Sequence, residues 1–225
     1  MSQKYTLVEG TKDDIPALIH VAQEAFRRDT IWRVVIGNVS PEEEHAWLTA
    51  FYGKRYSMDD MTLYIVKNED GKIVGYTALE WPWDIKHVPN EFKDMCNSPD
   101  PEHIPPPKGV RLDAWKEMFH LSVMTREYGY DPEKDFHRRS TMILPEAQKQ
   151  GLGSLLTRRC NQVADEAGRK TWAGVRPSSI GMFRSLGFGE VKVVQTPVER
   201  WGGTEEMGKS WLLCREPQSK AGVMI

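Results

Sequence analysis

The residues best suited to chemistry stand in one run, Gln148-Lys149-Gln150-Gly151-Leu152-Gly153. It follows an alternating stretch and opens a helical one. Two glycines let the backbone approach a ligand closely, and a helix start offers unpaired N–H groups and a positive dipole end. Physically this is a cradle for a pyrophosphate. A dinucleotide fold wants a third glycine, where Leu156 stands. A P-loop wants Gly-Lys followed by Ser or Thr, but Ser154 and Leu155 follow Gly153. A plain glycine turn before an ordinary helix is the alternative without a ligand. Residues 137–176 hold eight Lys or Arg and three Asp or Glu, so a basic block surrounds the run. An anionic ligand requires such a field. A solvated helix face bearing Arg158 and Arg159 gives the same count.

Regular elements must position this run. Arg139, Thr141 and Ile143 alternate with Ser140, Met142 and Leu144, a strand that ends at Pro145. Leu152, Leu156, Cys160, Val163 and Ala167 recur at helical spacing, and Gly168 stops that helix. Residues 171–175, 191–195 and 210–214 read as strands, with a short helix over about 179–186. Upstream, residues 5–8 form a strand, and a helix follows the Thr11 cap as far as about Phe26. A second helix runs from the Ser40-Pro41 cap to about Tyr56. Residues 63–67 and 72–80 form a hairpin about Asp70-Gly71. Residues 82–136 break the pattern, with five prolines between Pro99 and Pro107, then a helix over about 112–126, and a net charge of −4. They read as an insertion into a single domain spanning 1–225, either a surface excursion or a lid. The order of elements predicts an α/β fold (an α+β mixed sheet) of about seven strands flanked by helices.

The chain has 225 residues, 40% of them apolar and 28% charged, and a net charge of −2. Those values describe a folded domain and exclude a coat for nucleic acid. No stretch approaches the ~18 apolar residues of a membrane span. The first ten residues lack the apolar core of a signal peptide. Cys96, Cys160 and Cys214 are odd in number and far apart, so neither a disulfide framework nor a zinc site is expected. A reducing, cytoplasmic setting is expected. The eight tryptophans are expected in part as pocket walls.

Residues Ile143-Leu144-Pro145-Glu146-Ala147-Gln148-Lys149-Gln150-Gly151-Leu152-Gly153 resemble the acyl-CoA signature of the GNAT N-acetyltransferase superfamily. That signature is a strand ending V-x-P, then Q/R-x-x-G-x-G/A. A second block, Val175 to Phe188, resembles the later Tyr-x-x-Leu-Gly-Phe segment and is similar in form to fungal members. The resemblance covers nearly the whole chain outside 82–136. It implies the GNAT fold, with a central twisted mixed sheet. It implies acetyl-CoA as acyl donor to a primary amine of a small molecule, by direct attack with both bound. Main-chain groups of Met142, Ile143 and Leu144 are implied to hold the pantetheine arm where their strand splays from the next. The N–H groups of Gln150, Gly151, Leu152, Gly153 and Ser154 are implied to hold the pyrophosphate, with Gln148 and Lys149 nearby. Where the family places a tyrosine near the leaving thiolate, this chain has Phe183, which has no proton to give and is left to pack against the arm. Ser178, Ser179, a water or no acid at all then takes that role.

Direct transfer to a protonated amine needs a base. The candidates are Glu80, just before Trp81-Pro82-Trp83, and His137, which shares a face with Arg139 and Thr141 if its strand is regular. The alternatives are a surface carboxylate and an exposed strand start. Trp81, Trp83 and His120 are candidate walls of the amine pocket. Cys160 and Cys214 read as packed residues rather than nucleophiles. Two other readings stand beside this one: a non-catalytic acyl-CoA-binding or sensing module, supported by Phe183, and a nucleotide-phosphate binder using the same cradle. No metal, nucleic acid or membrane partner is expected, and the chain is read as a monomer or homodimer.

Overall fold

The computed structural model describes residues 4–27, 29–90, 93 and 104–218, with backbone alone at Thr30 and 119–124. In chain order the elements begin with β1 (Tyr5–Glu9), α1 (Ile15–Phe26), α2 (Thr30–Ile36), α3 (Pro41–Tyr56), β2 (Met61–Asn68) and β3 (Ile73–Glu80). Next come α4 (Leu112–Met124), β4 (Phe136–Ile143) and α5 (Leu152–Ala167). The chain then forms β5 (Thr171–Val175), α6 (Ile180–Ser185), β6 (Gly189–Gln195) and β7 (Lys209–Arg215). Local chemistry sets these limits. Ser40 and Glu43 close a capping box with Pro41 inside it, and α3 begins there. Gly71 takes φ 76° in the β2–β3 turn, and Gly168 ends α5 at φ 66°.

The sequence pattern misses α2. Its cap is the Asp29 carboxylate, which accepts from Trp32 N–H at 2.7 Å. The helix has only seven residues, and with Arg33 the one charge among the apolar residues of 31–36 the stretch is too short to show a helical period.

The sheet order is β1-β2-β3-β4-β5-β7-β6 among the described residues. Every neighbouring pair is antiparallel except β4 and β5. The parallel ladder is short: Phe136, His137 and Arg138 pair with Thr171, Trp172 and Ala173. Beyond Arg138 the two strands are no longer paired, so a gap opens in the middle of the sheet. Alternation along β3 fixes the layers. Tyr76 meets Tyr56 of α3, while Thr77 meets Arg138, whose guanidinium also bonds Thr157 of α5. Helices α1 and α3 therefore cover one face and α5 the other.

The described start of α4, within the insertion, is packed rather than suspended. Trp115 of α4 lies 4.5 Å from Trp47 and 5.3 Å from Phe51, ring centre to ring centre, and 6.0 Å from Trp32. Arg111 N–H bonds the Val35 carbonyl of α2 at 2.9 Å. Trp201, in the loop before β7, donates to Asp113 at 2.9 Å. Trp32, Trp47, Trp83, Trp115 and Trp172 are all buried. These indoles serve the core, because their large apolar area is worth most there, and the expectation of pocket walls fails for them. No helix of the described residues is long and apolar enough to cross a membrane.

Candidate active site

The glycine run forms the mouth of the gap. Gly151 takes φ 80° and Lys149 φ 60°, two left-handed residues that turn the chain into α5. The first helical bond of that turn is from Leu155 N–H to the Gly151 carbonyl at 2.9 Å. The N–H groups of Leu152, Gly153 and Ser154 thus have no acceptor within the helix. A Cβ at Gly151 would meet nothing within 4 Å, while one at Gly153 would come 3.1 Å from Met182 Sδ, so the turn is open at its first glycine and Met182 lies beside the second. The glutamine side chains are spent on the loop itself. Gln148 Nε2 donates to the Ile143 carbonyl at 3.1 Å, and Gln150 Oε1 accepts from Lys4 Nζ and Tyr5 OH, each at 2.9 Å. Lys149 is exposed.

The main-chain groups of β4 that face the gap are those of Thr141 and Ile143, because Ser140 and Met142 turn theirs to Ala78 and Tyr76 of β3. Leu144 does not join them. Its N–H bonds the Val74 carbonyl at 2.8 Å and its own carbonyl accepts from Ala147 at 2.9 Å, while its side chain is buried.

A bulge shapes β4. Ala78 pairs with Ser140 and Leu79 with Arg138, so Arg139 is the extra residue. The regular alternation expected of His137, Arg139 and Thr141 is broken there. His137 and Arg139 face α3 with Glu80, while Thr141 faces α5 with Thr77 and Arg138.

Glu80 is fully buried, not a surface carboxylate. It bonds both nitrogens of the Arg139 fork, and takes Arg55 Nη2 at 3.0 Å and Tyr130 OH at 2.9 Å. Arg55 also pairs with Asp60 at 2.6 Å. Burial alone raises a carboxyl group, but Arg139 and then Arg55 outweigh it and hold Glu80 well below the usual range. His137 is buried too, with neither ring nitrogen hydrogen-bonded. Burial, then the Arg139 charge, hold it down to about 3. Neither group has the basicity of a proton acceptor for an amine at neutral pH. Both also sit at the paired end of β4, away from the open gap.

The tryptophans expected as one wall are separated. Trp81 donates to Thr62 at 2.8 Å and lines an open groove of about 410 Å³ with Tyr64, Lys86 and Arg159. That groove lies outside the gap. Trp83 is buried against Val88, and its N–H donates to Asp60 at 3.3 Å. His120 falls in α4, and its side chain lies outside the described residues. Ser178 is exposed in the turn after β5, with no described partner, and Ser179 donates to the Arg176 carbonyl at 3.2 Å. Phe183 is buried with Phe188, Ala173, Val175 and Leu213.

Two groups of residues at the gap lie outside the sequence expectations. A row of phenols crosses it on the α3 side. Tyr56 OH donates to Ser140 Oγ at 2.8 Å and meets Tyr76 OH at 3.1 Å, and Tyr52 stacks on Tyr56. Arg176 follows β5 and is close enough to Tyr52 to act on its hydroxyl, though burial prevails and pushes that hydroxyl up. Burial pushes Tyr56 to about 12, so the row keeps its protons. Arg176 bonds Ser210 Oγ at 2.9 Å and lies 3.8 Å from Asp29. The signal was the i, i+4 spacing of Tyr52 and Tyr56, which looks like an ordinary core stripe. The second group is Arg138 and its hydroxyl partners on the opposite face. Among the described residues, no three His, Cys, Asp or Glu side chains gather as a metal site.

This architecture is the fold of the GNAT acetyltransferases. No protein-family model matches the sequence. A Corynebacterium glutamicum protein described as "histone acetyltransferase HPA2 and related acetyltransferase" superposes with a TM-score of 0.64 at 14% identity, over 98% of this chain and 100% of that one. A phosphinothricin acetyltransferase from Sinorhizobium meliloti, solved with acetyl-CoA, gives 0.54 at 15%, over 98% and 92%. The ribosomal-protein-S18-alanine N-acetyltransferase of Escherichia coli gives 0.53 at 16%, over 98% of each. Their names give them different acceptors.

Proposed function

We propose that this chain is an acetyl-CoA-dependent N-acetyltransferase acting on a primary amine of a small molecule. The observation that carries the reading is the β4–β5 ladder that ends at Arg138 and Ala173, with the open α5 N-terminus at the mouth of the resulting gap. A gap in a sheet exposes main-chain groups that accept an extended amide arm, and the helix start accepts its pyrophosphate. Main-chain groups of Thr141 and Ile143 would hold the arm, and the N–H groups of Leu152, Gly153 and Ser154 the phosphates. The bound donor supplies an activated acetyl thioester. Solved relatives of this fold include one with acetyl-CoA bound.

The amine enters from the α3 side, between the Tyr52–Tyr56 row and the Asp29–Arg176 pair. Asp29 supplies negative charge for an ammonium group, and the net −4 of residues 82–136 adds to the attraction. With Glu80 and His137 committed to the buried cluster, the amine loses its proton to solvent.

Phe183, and the lack of a base at the gap among the described residues, favour one second reading, an acyl-CoA-binding module without transfer. A thermal-shift series with acetyl-CoA, CoA, ATP and NAD tests the cradle first. Ligand at 100 times its Kd adds about 2.7 kcal/mol. At about 2–4 °C per kcal/mol, the expected rise is roughly 5–10 °C with both CoA species and none with ATP or NAD. No rise with CoA overturns the proposal. Binding without CoA release across an amine panel establishes the second reading instead.

A further inference from the structure

Four buried or nearly buried arginines lie in or near the sheet, and one differs from the rest. Arg55 is paired with Asp60 and Glu80, Arg139 with Glu80, and Arg215 with Asp165. Arg138 is 4% exposed and has no carboxylate partner among the described residues. Its contacts are neutral. Nη1 donates to Thr157 at 2.7 Å, and Nη2 to Thr77 at 3.0 Å and to Thr141. Its Nε has no acceptor. The guanidinium carbon lies over the Phe183 ring, 4.9 Å from its centre. A buried cation normally acquires an anion. Here three hydroxyls fix the planar group in place and leave its charge uncancelled.

Its position specifies where the anion belongs. Arg138 is the last residue of β4 paired with β5, so its side chain lies where the gap begins. Thr157 Oγ1, which receives the guanidinium, itself donates to the Gly153 carbonyl at 2.7 Å. The cation therefore sits about one helical turn in from the mouth, and it lies over Phe183, the position that the resemblance places near the leaving thiolate. An anion formed at the inner end of a bound arm would meet it.

We propose that Arg138 is a catalytic residue that stabilises the thiolate leaving group. The proposal rests on the acyl-CoA reading above. The amine nitrogen bonds to the acetyl carbon, the carbon–sulfur bond breaks, and its electron pair stays on sulfur as thiolate beside the guanidinium. The ammonium proton goes to solvent. Arginine keeps its own proton, so it acts by charge and not as an acid. It faces Thr77 from β3, Thr141 from β4, Ala173 from β5, Phe183 from α6, and Thr157 and Cys160 from α5. Cys160 is the one titratable group among these, and burial pushes its thiol up, so it remains neutral.

The test compares CoA with desulfo-CoA, in which hydrogen replaces the thiol, by isothermal titration calorimetry between pH 6.5 and 8.5. In the wild type, CoA should gain at least tenfold more affinity than desulfo-CoA across this range, with proton release on binding. That follows if the bound thiol titrates at about 7 or below, against the ~8.5 of a free one. Arg138→Gln should abolish the difference while still binding acetyl-CoA, and should lower kcat by roughly 100-fold. Identical pH profiles for the two ligands in the wild type overturn the proposal, even if the variant does not fold. So does a folded Arg138→Gln that keeps the difference. Failure of both ligands to bind overturns the acyl-CoA reading itself.

Discussion

His137 is a neutral imidazole surrounded by arginine charge, and this makes it a pH-dependent weakness of the fold. It titrates near 6.5 when exposed and is held to about 3 in the folded chain. Between those values the unfolded chain binds the proton and the folded chain refuses it. Its contribution to stability is therefore complete above about pH 6.5 and is lost as pH falls toward 3. The slope approaches 1.4 kcal/mol per pH unit, so roughly 1.5–2 kcal/mol disappears between pH 6.5 and 5. His137→Phe should remove that loss, because neither ring nitrogen has a partner to sacrifice. Urea denaturation at pH 6.5 and 5 checks it; an equal loss in wild type and variant would place the titration elsewhere. Residue types alone did not show this. In sequence Glu80 and His137 read as two separate candidate bases, or as a surface carboxylate and an exposed strand start. Only the bulge at Arg139, invisible in sequence, turns the same residues into a buried ion cluster.

At the scale of elements, the turn into α5 was the most legible part. Two glycines after a proline-terminated strand have few structural solutions, and Gly151 adopts the left-handed one. Gly151→Ala should cost about 1–2 kcal/mol, since alanine is strained at that φ even with open space around it. Thermal unfolding measures the cost, and CoA affinity should fall with it as the N–H groups tilt. Unchanged Tm and affinity would show that the turn relaxes freely. The hairpin, α3 and the ends of α5 were equally readable, because caps and turns are local. Helix α2 was not, having two turns and a single charge, Arg33, among apolar residues. The phenol row and the Arg138 site were hidden for a different reason. Each depends on which residues of α3, β3, β4 and α5 become neighbours, and that is decided by the fold rather than by spacing.

At the scale of the molecule, three rungs of parallel ladder join β1-β2-β3-β4 to β5-β7-β6. A main-chain ligand in the gap would extend that seam. Amide hydrogen exchange should therefore slow in β5 and in residues 139–143 when CoA is added, more than in the β1–β2 pair. Uniform slowing across the sheet would mean global stabilisation only, and no slowing would argue against occupancy of the gap.

Above the background of Trp81, Trp83 and Trp201, the distribution of indoles gives the molecule two separate optical reporters. Trp32, Trp47 and Trp115 lie with centres 4.5–6.0 Å apart, close enough for their excited states to couple. Their signal follows the seating of α4 on α2 and α3. Trp172 pairs with His137 across the β4–β5 seam, and Trp211 pairs with Val175 at the end of β5. Trp172 emission follows the seam and Trp211 emission the β5–β7 pair beside it, so light from one chain distinguishes the insertion coming away from the sheet coming apart.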